Sequence, residues 1–309
     1  MKQEIIKLPI QSFCFGVKNA IAEAGRIISI PNTKLPIHML GEIVHNKYVS
    51  QYFEEHNIIV HKTGTRLDMI NSINEGTVIF TAHGVSPEVV NNAINKKLTF
   101  FNTTCPFVKN SVKLIQKYLN DDYYILYIGS KNHPESETAL SFGERVVLIQ
   151  NMDDAKNLSI NYPKMIITNQ TTMSIYDIFE IVEFLKKKYP QILIMEKVCN
   201  AAKERQEMIF EVAKKHQSKE HTAFIVVGDK NSHNTNKLAS IIKNYNDNVY
   251  FAERIEDLDF SVLKVFNKIF IASGTSTPLA IVNEIYDALC NNPQEKHLSS
   301  KLTINDYIK

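Results

Sequence analysis

Short apolar runs recur along the chain, separated by polar loops and longer amphipathic stretches. Residues 77–80, 125–128 and 224–227 are rich in β-branched, aromatic and other apolar side chains. Continuous apolar runs that are bounded by glycine and followed by helix-like segments are typical of strands buried on both faces in α/β units. The pattern therefore predicts an α/β fold built on parallel sheets. Residues 5–10 form a further predicted strand, which we expect to complete the sheet of the last part of the chain.

Three cysteines begin segments of the same kind at nearly equal spacing. Cys14, Cys105 and Cys199 are 91 and 94 residues apart, and a lysine follows each cysteine four positions later. A period of about ninety residues is too long for a solenoid repeat and suits a small α/β domain. We therefore predict three related α/β modules. Their ranges are 15–105, 106–196, and 197–290 together with 1–14, and a tail at 291–309 is expected to cross the surface or wrap a neighbouring module.

Polar residues follow the predicted strands in two further series. His45, His133 and Ser232 each lie four residues after a glycine that ends a strand, and the loops FTAHGVS and ASGTSTP supply His83 and Ser276. In open parallel sheets, ligands bind beyond the carboxyl ends of the strands, so we expect these donors to share one site. With Asn234, they suit a phosphate or a diphosphate near helix N-termini. Arginine, which usually recognises planar carboxylates, is absent from these loops.

Composition narrows the class of protein. The chain has 309 residues, of which 44% are hydrophobic and 22% charged, and a formal net charge of +2. It has no basic tract of the kind that nucleic-acid binding requires. No apolar stretch reaches the length of a membrane span. The segment before Cys14 is charged, and we expect it to be too short for a signal peptide. We therefore expect a cytoplasmic protein that binds neither nucleic acid nor membrane.

The three cysteine thiolates are candidate metal ligands. In a reducing compartment, cysteines indicate metal binding or catalysis more than disulfides. Structural zinc sites usually have four ligands in paired C-x-x-C spacing, which this chain lacks, whereas an iron-sulfur cluster takes thiolates. Three thiolates would leave one iron open to a substrate oxygen. The alternative is that all three are buried core cysteines; Cys290, which has no counterpart in the repeat, is interpreted that way. The remaining histidines are interpreted as core or surface residues: His38, His56, His61, His216, His221 and His297.

Nine ordered segments resemble one known family. They are CFGVKNAI, GEIVHNKYV, FTAHGVS, TCPFVKN, HPESETA, TNQTTMS, VCNAAKERQE, GDKNSHNTNKL and ASGTSTP. In this order they resemble the 4-hydroxy-3-methylbut-2-enyl diphosphate reductases, iron-sulfur oxidoreductases that complete the non-mevalonate isoprenoid pathway. The resemblance implies three α/β modules in a pseudo-threefold trefoil around a central [4Fe–4S] cluster. Cys14, Cys105 and Cys199 would be its ligands.

The resemblance also implies roles for the polar residues. The diphosphate of the substrate would be bound by His45, His83, His133, Ser232, Asn234 and Ser276. Glu135 would deliver a proton as the substrate hydroxyl leaves, and Thr171 would relay or orient that proton. A ferredoxin or a flavodoxin would donate two electrons. The products would be isopentenyl and dimethylallyl diphosphates. Without the family, Glu135 would be interpreted as a solvated carboxylate at a helix start after Pro134.

The chain departs from the common family pattern at three places. His233 stands where many members have a second serine, and we include it among the substrate-binding residues. Ala202 and Lys203 stand where a pair of threonines is common, and Lys203 is expected to lie on a solvated helix face. The segment before the second cysteine is NTT instead of DAT, which we regard as peripheral.

Three other functions remain open on the sequence alone. The first is a different three-cysteine cluster enzyme of similar architecture, such as quinolinate synthase, whose carboxylate substrates would favour arginine in the site. The second is a cluster-bearing iron or redox sensor without turnover, which would need neither a diphosphate site nor an acid at Glu135. The third is an α/β protein that binds phosphate and whose repeated cysteines are accidental. An iron-sulfur absorption spectrum and an anaerobic turnover assay distinguish these possibilities.

Overall fold

The structure is a computed structural model that describes residues 3–217 and 221–291. The strands are β1 (Glu4–Lys7), β2 (Ile37–Leu40), β3 (Ile58–His61), β4 (Thr77–Phe80), β5 (Thr99–Asn102), β6 (Tyr124–Ile128), β7 (Val146–Ile149), β8 (Met165–Asn169), β9 (Leu193–Ile194), β10 (Thr222–Val227), β11 (Val249–Ala252) and β12 (Lys268–Ser273). The helices are α1 (Phe15–Ile28), α2 (Lys47–Glu55), α3 (Arg66–Ser72), α4 (Pro87–Asn95), α5 (Pro106–Asn120), α6 (Pro134–Leu140), α7 (Met152–Asn157), α8 (Ile175–Lys188), α9 (Asn200–Lys215), α10 (His233–Lys243), α11 (Phe260–Leu263) and α12 (Leu279–Asn291).

The chain divides into two compact units. Among the described residues, the first unit contains residues 3–22, 44–52, 200–217 and 221–291, and the second contains residues 23–43 and 53–199. Within the part of the chain that the structure describes, the first unit contains one four-stranded sheet, in the order β1-β12-β10-β11. The second contains two, in the orders β3-β2-β4-β5 and β7-β6-β8-β9. All the strand pairs are parallel, as the continuous apolar runs predicted.

The three sheets share one topology. In each sheet, the strand that precedes a cysteine (β1, β5 or β9) lies at one edge, beside the strand that leads into a Ser/Thr/His loop (β12, β4 or β8). The strand that is followed directly by a glycine (β10, β2 or β6) comes next. The expectation that the first strand completes the last sheet is confirmed, since Glu4 pairs with Lys268. That strand is shorter than predicted and ends at Lys7.

The sheet of β6 to β9 is buried on both faces. Because side chains alternate along a strand, Leu126 and Ile128 pack with α8, and Ile125 and Tyr127 pack with Ile115 of α5 and Ala139 of α6. Burial on both faces explains why the strand has no polar position to reveal its alternation. The same arrangement places the N-termini of α5 and α6 near the carboxyl ends of the strands.

The remaining predictions on architecture have different outcomes. The strands predicted at 77–80, 125–128 and 224–227 are confirmed as β4, β6 and β10. The strands of each sheet fall within the predicted module ranges, while the module boundaries themselves stay a prediction. The tail falls outside the described residues, apart from Asn291, which ends α12. Among the helices of the described ranges, none is both long and apolar enough to cross a membrane.

Candidate functional site

Each of the three repeat cysteines is held by the same backbone hydrogen bond. The N–H of Cys105 donates to the carbonyl of Ala82 (3.0 Å), and the N–H of Cys199 donates to the carbonyl of Thr171 (2.9 Å). In the first unit, the N–H of Cys14 donates to the carbonyl of Thr275 (3.2 Å). Each acceptor lies in the loop after the neighbouring strand of the same sheet. The repeat seen in the sequence is therefore a repeat of tertiary contacts.

The three cysteines also share their position relative to a helix. Each immediately precedes the first residue of a helix, and Cys105 is the N-cap of α5. All three are half-buried, and no disulfide joins the cysteines, which all lie within the described ranges. The positive end of a helix dipole favours negative charge at this position. Half-buried thiols at helix N-termini suit thiolate ligation of a metal centre.

Thr171 holds both oxygens of the Glu135 carboxyl group. The Thr171 N–H donates to Oε2 (2.9 Å), and the Thr171 hydroxyl donates to Oε1 (2.8 Å). Glu135 is in the first turn of α6 and is 5% exposed, while Thr171 follows β8 and is 3% exposed. The alternative interpretation of Glu135 as a solvated carboxylate is therefore wrong, because α6 packs this face of its first turn into the protein.

Burial dominates the ionisation of Glu135. Removal from water raises its pKa to about 7, and the two hydrogen bonds from Thr171 lower it only in part. A carboxyl group with a pKa near 7 is about half protonated at neutral pH. Such a group can deliver a proton and recover it under physiological conditions.

Two histidines of the predicted site lie at the N-terminus of α6, the helix that contains Glu135. His133 is the N-cap of α6, and its Nδ1 accepts a hydrogen bond from the Glu135 N–H (3.2 Å). A ring that accepts at Nδ1 bears its proton at Nε2, which is a suitable donor for an anion. The ring of His83, from the loop after β4, lies edge-on to that of His133, with the centroids 5.7 Å apart. In the second unit, two neighbouring imidazoles thus lie at the N-terminus of the helix whose first turn contains Glu135.

The first unit contains a cluster of hydroxyl and amide groups. The Ser276 hydroxyl donates to Ser232 Oγ (3.2 Å), and Ser232 is the N-cap of α10. Asn234, in the first turn of that helix, is 2% exposed. Neither its Oδ1 nor its Nδ2 has a hydrogen-bond partner within the described part of the chain. A buried amide without partners is costly unless a ligand satisfies it, and a helix N-terminus favours an anion.

The segment around His45 is fixed within the first unit. The next residue, Asn46, accepts hydrogen bonds from the N–H groups of Tyr48 and Val49 (both 3.2 Å) and so caps α2. Lys47 forms an ion pair with Glu253 (2.7 Å). His45 is half-buried at the entrance to this helix.

A largely buried arginine side chain packs against the glycine that follows β2. The guanidinium group of Arg66, at the start of α3, lies directly against the α-carbon of Gly41. Gly41 directly follows β2 and has a φ of +82°, so this position requires glycine both for its backbone conformation and because a side chain would collide with Arg66. Burial lowers the pKa of Arg66, and the charges of Glu137 and Glu42 oppose this effect. The loops after the strands contain no arginine. Nothing in the sequence around Gly41 indicates that an arginine of α3 packs against it.

Comparison with known proteins decides the family. The chain matches the LytB protein family over residues 5–290. The chain belongs to that family. It is 40% identical over 288 residues to the 4-hydroxy-3-methylbut-2-enyl diphosphate reductase of Geobacillus kaustophilus (strain HTA426), covering 93% of this chain and 90% of that protein. It is 39% identical over 284 residues to the enzyme of the same name from Bacillus subtilis (strain 168), covering 91% of this chain and 89% of that protein.

Solved structures of LytB relatives have the same fold. The E-1-hydroxy-2-methyl-but-2-enyl-4-diphosphate reductase from Plasmodium falciparum matches with a TM-score of 0.84 and 26% identity, over 100% of this chain and 98% of that chain. A structure of (E)-4-hydroxy-3-methyl-but-2-enyl diphosphate reductase, the terminal enzyme of the non-mevalonate pathway, matches with a TM-score of 0.63 and 27% identity, over 93% of this chain and 99% of that chain. The family resemblance predicted from nine segments is confirmed.

Lys203 and Cys290 of this LytB chain are both at the protein surface. Lys203 lies on a solvated face of α9, since its Nζ is 3.7 Å from Glu207 and both side chains are about half exposed. That expectation is confirmed. The interpretation of Cys290 as a core residue is wrong, because Cys290 is exposed. The buried face of α12 contains Ile281, Val282 and Ile285, and Cys290 falls in the last turn, off that face.

Proposed function

We propose that the protein is a 4-hydroxy-3-methylbut-2-enyl diphosphate reductase, which removes the allylic hydroxyl of its substrate and yields isopentenyl and dimethylallyl diphosphates. Family membership and relatives of that name support this proposal. The single structural observation behind it is the buried Glu135 carboxyl group, with a pKa of about 7 and both oxygens held by Thr171. Neither a redox sensor nor a phosphate-binding protein needs such an acid beside anion donors.

Cys14, Cys105 and Cys199 would hold a [4Fe–4S] cluster. Three half-buried thiols without disulfides, each before a helix and each in the same tertiary contact, fit this cofactor. When bound through three thiolates, the cluster supplies electrons and an iron that is open to the substrate oxygen. The family resemblance implies that a ferredoxin or a flavodoxin would supply those electrons.

The polar residues would bind the diphosphate and so position the reacting end of the substrate. In the second unit these are His83 and His133, with the Nε2–H of His133 as a donor. In the first unit they are His45, Ser232, His233, Asn234 and Ser276. The unpartnered amide of Asn234 supports this assignment, since an anion at the α10 N-terminus could accept from Nδ2. Binding energy from a remote, non-reacting group can orient the substrate for catalysis.

Glu135 would deliver the proton that converts the departing hydroxyl into water. The overall reaction consumes two electrons and two protons: the C–O bond breaks, one proton leaves in water, and the other is added to one of two allylic carbons. Thr171 holds the carboxyl group by two hydrogen bonds, so the proton is presented in one fixed orientation. General acid catalysis of this kind typically contributes a factor of roughly 10² to 10⁴ in rate.

Turnover of the allylic diphosphate tests the proposal. Anaerobically purified protein with a reduced viologen should convert the substrate to the two products, whereas Glu135→Gln should bind it and turn over roughly 10² to 10⁴ times more slowly. Glu137→Gln makes the same chemical change two residues further along α6, at a half-exposed carboxylate, and should stay near the parent rate. The proposal fails if the parent protein does not consume the substrate, and the role of Glu135 fails if both variants react equally.

A further inference from the structure

The segment before each repeat cysteine is bonded to the neighbouring strand in the same way. Two residues before each cysteine, a main-chain N–H donates to the last residue of that strand: Ser12 to Ser273 Oγ (2.8 Å), Thr103 to the Phe80 carbonyl (2.9 Å) and Lys197 to Asn169 Oδ1 (2.8 Å). The cysteine N–H then donates to the carbonyl two positions beyond that acceptor residue. Each cysteine therefore ends a short stretch of chain that is fixed at two points.

The stretch before Cys14 differs from the other two in its backbone conformation. Ser12 has a φ of +66°, in the left-handed region, whereas neither Thr103 nor Lys197 has a positive φ. Residues with a side chain rarely adopt this conformation, and it persists where the surrounding structure enforces it. Ser12 is 5% exposed, so contacts within the protein hold this turn.

Arg205 of α9 supplies such contacts. Its Nη2 donates to the Ser12 carbonyl (2.5 Å) and to the Gln11 carbonyl (3.2 Å), which lie 193 and 194 positions earlier in the chain. Its Nη1 donates to the Ala201 carbonyl of its own helix (3.1 Å), so the guanidinium group is itself oriented. Arg205 is 3% exposed, and all these residues belong to the first unit.

The two carbonyls that Arg205 binds belong to the peptide planes on either side of Ser12. The plane before Ser12 contains the Gln11 carbonyl and the Ser12 N–H, and the plane after it contains the Ser12 carbonyl. Because each peptide unit is planar, fixing both planes fixes φ and ψ of the residue between them. Hydrogen bonds from a charged guanidinium group are stronger than neutral ones, and its planar set of donors is already organised. Arg205 is thus well suited to hold Ser12 in its left-handed conformation.

Only Phe13 separates this turn from Cys14. Phe13 is 5% exposed, and the next N–H, that of Cys14, donates to the Thr275 carbonyl (3.2 Å). The conformation of Ser12 therefore determines how the chain enters Cys14 and where its half-buried thiol lies. Groups that orient metal ligands contribute to metal affinity although they do not touch the metal.

We propose that Arg205 is a positioning residue, which holds the turn at Ser12 and thereby sets Cys14 in place for metal ligation. The proposal rests on the proposed function, in which Cys14 is a cluster ligand. Arg205 acts through the backbone of Gln11 and Ser12. The corresponding turns before Cys105 and Cys199 have no left-handed residue to hold at Thr103 or Lys197.

Hydrogen exchange of the full-length, anaerobically purified protein tests this role. Arg205→Met keeps a long side chain but removes the donors, so the main-chain N–H of Cys14 should exchange roughly tenfold to a hundredfold faster, as measured by mass spectrometry. The N–H of Cys105 and that of Val226, in the core of the first unit, should exchange at the parent rate. If these N–H groups accelerated together with that of Cys14, Arg205 would serve general stability and the proposal would fail.

The cluster gives a second readout that general stability does not move. In Arg205→Met, the electron paramagnetic resonance spectrum of the reduced cluster should change, because one thiolate is reoriented. Iron should be lost to a chelator roughly ten to a hundred times faster, the usual cost of losing a group that orients a ligand. Arg205→Lys keeps the charge but has no planar fork of donors, so both the spectrum and the exchange of Cys14 should lie between those of the parent and of Arg205→Met.

Arg145→Met is the matched control. Arg145, in the second unit, also donates through Nη2 to a carbonyl, that of Leu119 (3.2 Å), and its replacement should leave Cys14 and the cluster spectrum unchanged. Parent-like exchange and spectrum in both Arg205 variants would overturn the proposal, and Arg205→Lys decides alone if Arg205→Met does not fold. If the purified protein contains no cluster, the proposed function fails, while exchange at Cys14 still decides whether Arg205 holds that residue.

Discussion

Thr171 is bonded to Glu135 through its side chain and to Cys199 through its main chain. Its hydroxyl and N–H donate to the two oxygens of the carboxyl group, while its carbonyl accepts from the Cys199 N–H. One residue thus orients the candidate acid and fixes the backbone of a candidate metal ligand. A displacement of this loop would alter both groups together.

The hydroxyl of Thr171 should keep the pKa of Glu135 from rising further. Thr171→Val removes one of two donors to the carboxylate, so the pKa should move above its value of about 7. Glu135 would then remain protonated at higher pH, and the alkaline limb of the rate profile should shift upward by about one unit. Thr171→Ser retains the donor and should keep the parent profile. The same shift in both variants would exclude the hydroxyl as its cause.

The burial of Glu135 should make the protein less stable at alkaline pH. Its pKa in the folded state is about 7 against 4.5 as an unperturbed group, so the folded protein binds the proton more tightly. Stability from this group is therefore present below pH 4.5 and is lost as the pH rises through about 7, by up to about 3 kcal/mol. Glu135→Gln lacks this dependence. Relative to the parent protein, the variant should gain stability between pH 5 and pH 8 in denaturant titrations; a constant difference would contradict the prediction.

Gly41→Ala should be far more damaging than an alanine at another glycine of positive φ. Gly143 has a φ of +107° with no atom near a built Cβ, so Gly143→Ala should cost only the conformational strain of about 1 to 2 kcal/mol. At Gly41 the new methyl group would also displace the Arg66 guanidinium. Thermal unfolding of both variants measures the difference. Adding Arg66→Ala to Gly41→Ala should recover part of the loss, and no recovery would contradict the steric explanation.

Serine in place of any of the three repeat cysteines should abolish stable cluster loading. A hydroxyl is a harder and mostly protonated ligand that cannot replace a thiolate. Iron content and the visible spectrum of anaerobic protein measure the effect. Cys290→Ser is the control, since Cys290 is exposed at the end of α12, and it should retain the parent iron content. If Cys290→Ser lost iron while Cys14→Ser kept it, the ligand assignment would be wrong.

Asn234→Ala should weaken the binding of the diphosphate substrate. Removing an amide that the ligand satisfies should reduce affinity by roughly tenfold to a hundredfold, with the cluster spectrum intact. Asn236, two residues later on the same helix, is exposed, and its Nδ2 donates to the Lys230 carbonyl (2.7 Å). Asn236→Ala should bind the substrate like the parent protein. Titration calorimetry compares the two, and equal affinities would remove Asn234 from the site.

Periodic features of the chain were predictable, and single contacts were not. The parallel strands follow from continuous apolar runs, and the cysteine repeat follows from spacing. The pairing of Thr171 with Glu135 joins residues 36 positions apart, and no pattern within either segment encodes it. It was anticipated only through the family resemblance. The burial of Glu135 depends on how α6 packs against the rest of the unit. The contact of the Arg66 guanidinium group with Gly41 depends on the conformation of a long side chain that extends from α3 to the end of β2.

The contacts of Cys14 have a consequence for the order in which the protein is made. Cys105 and Cys199 donate to carbonyls that lie 23 and 28 residues earlier, so both contacts can form while the nascent chain is still growing. The contacts of Cys14 with Thr275 and of Ser12 with Ser273 can form only after residues 261 positions later have been synthesised. Domains generally fold as units during synthesis, and contacts this distant in sequence close last. Cys14, the first of the three cysteines to be synthesised, is therefore the last to reach its native contact, and we expect loading of the proposed three-thiolate cofactor to follow synthesis of β12.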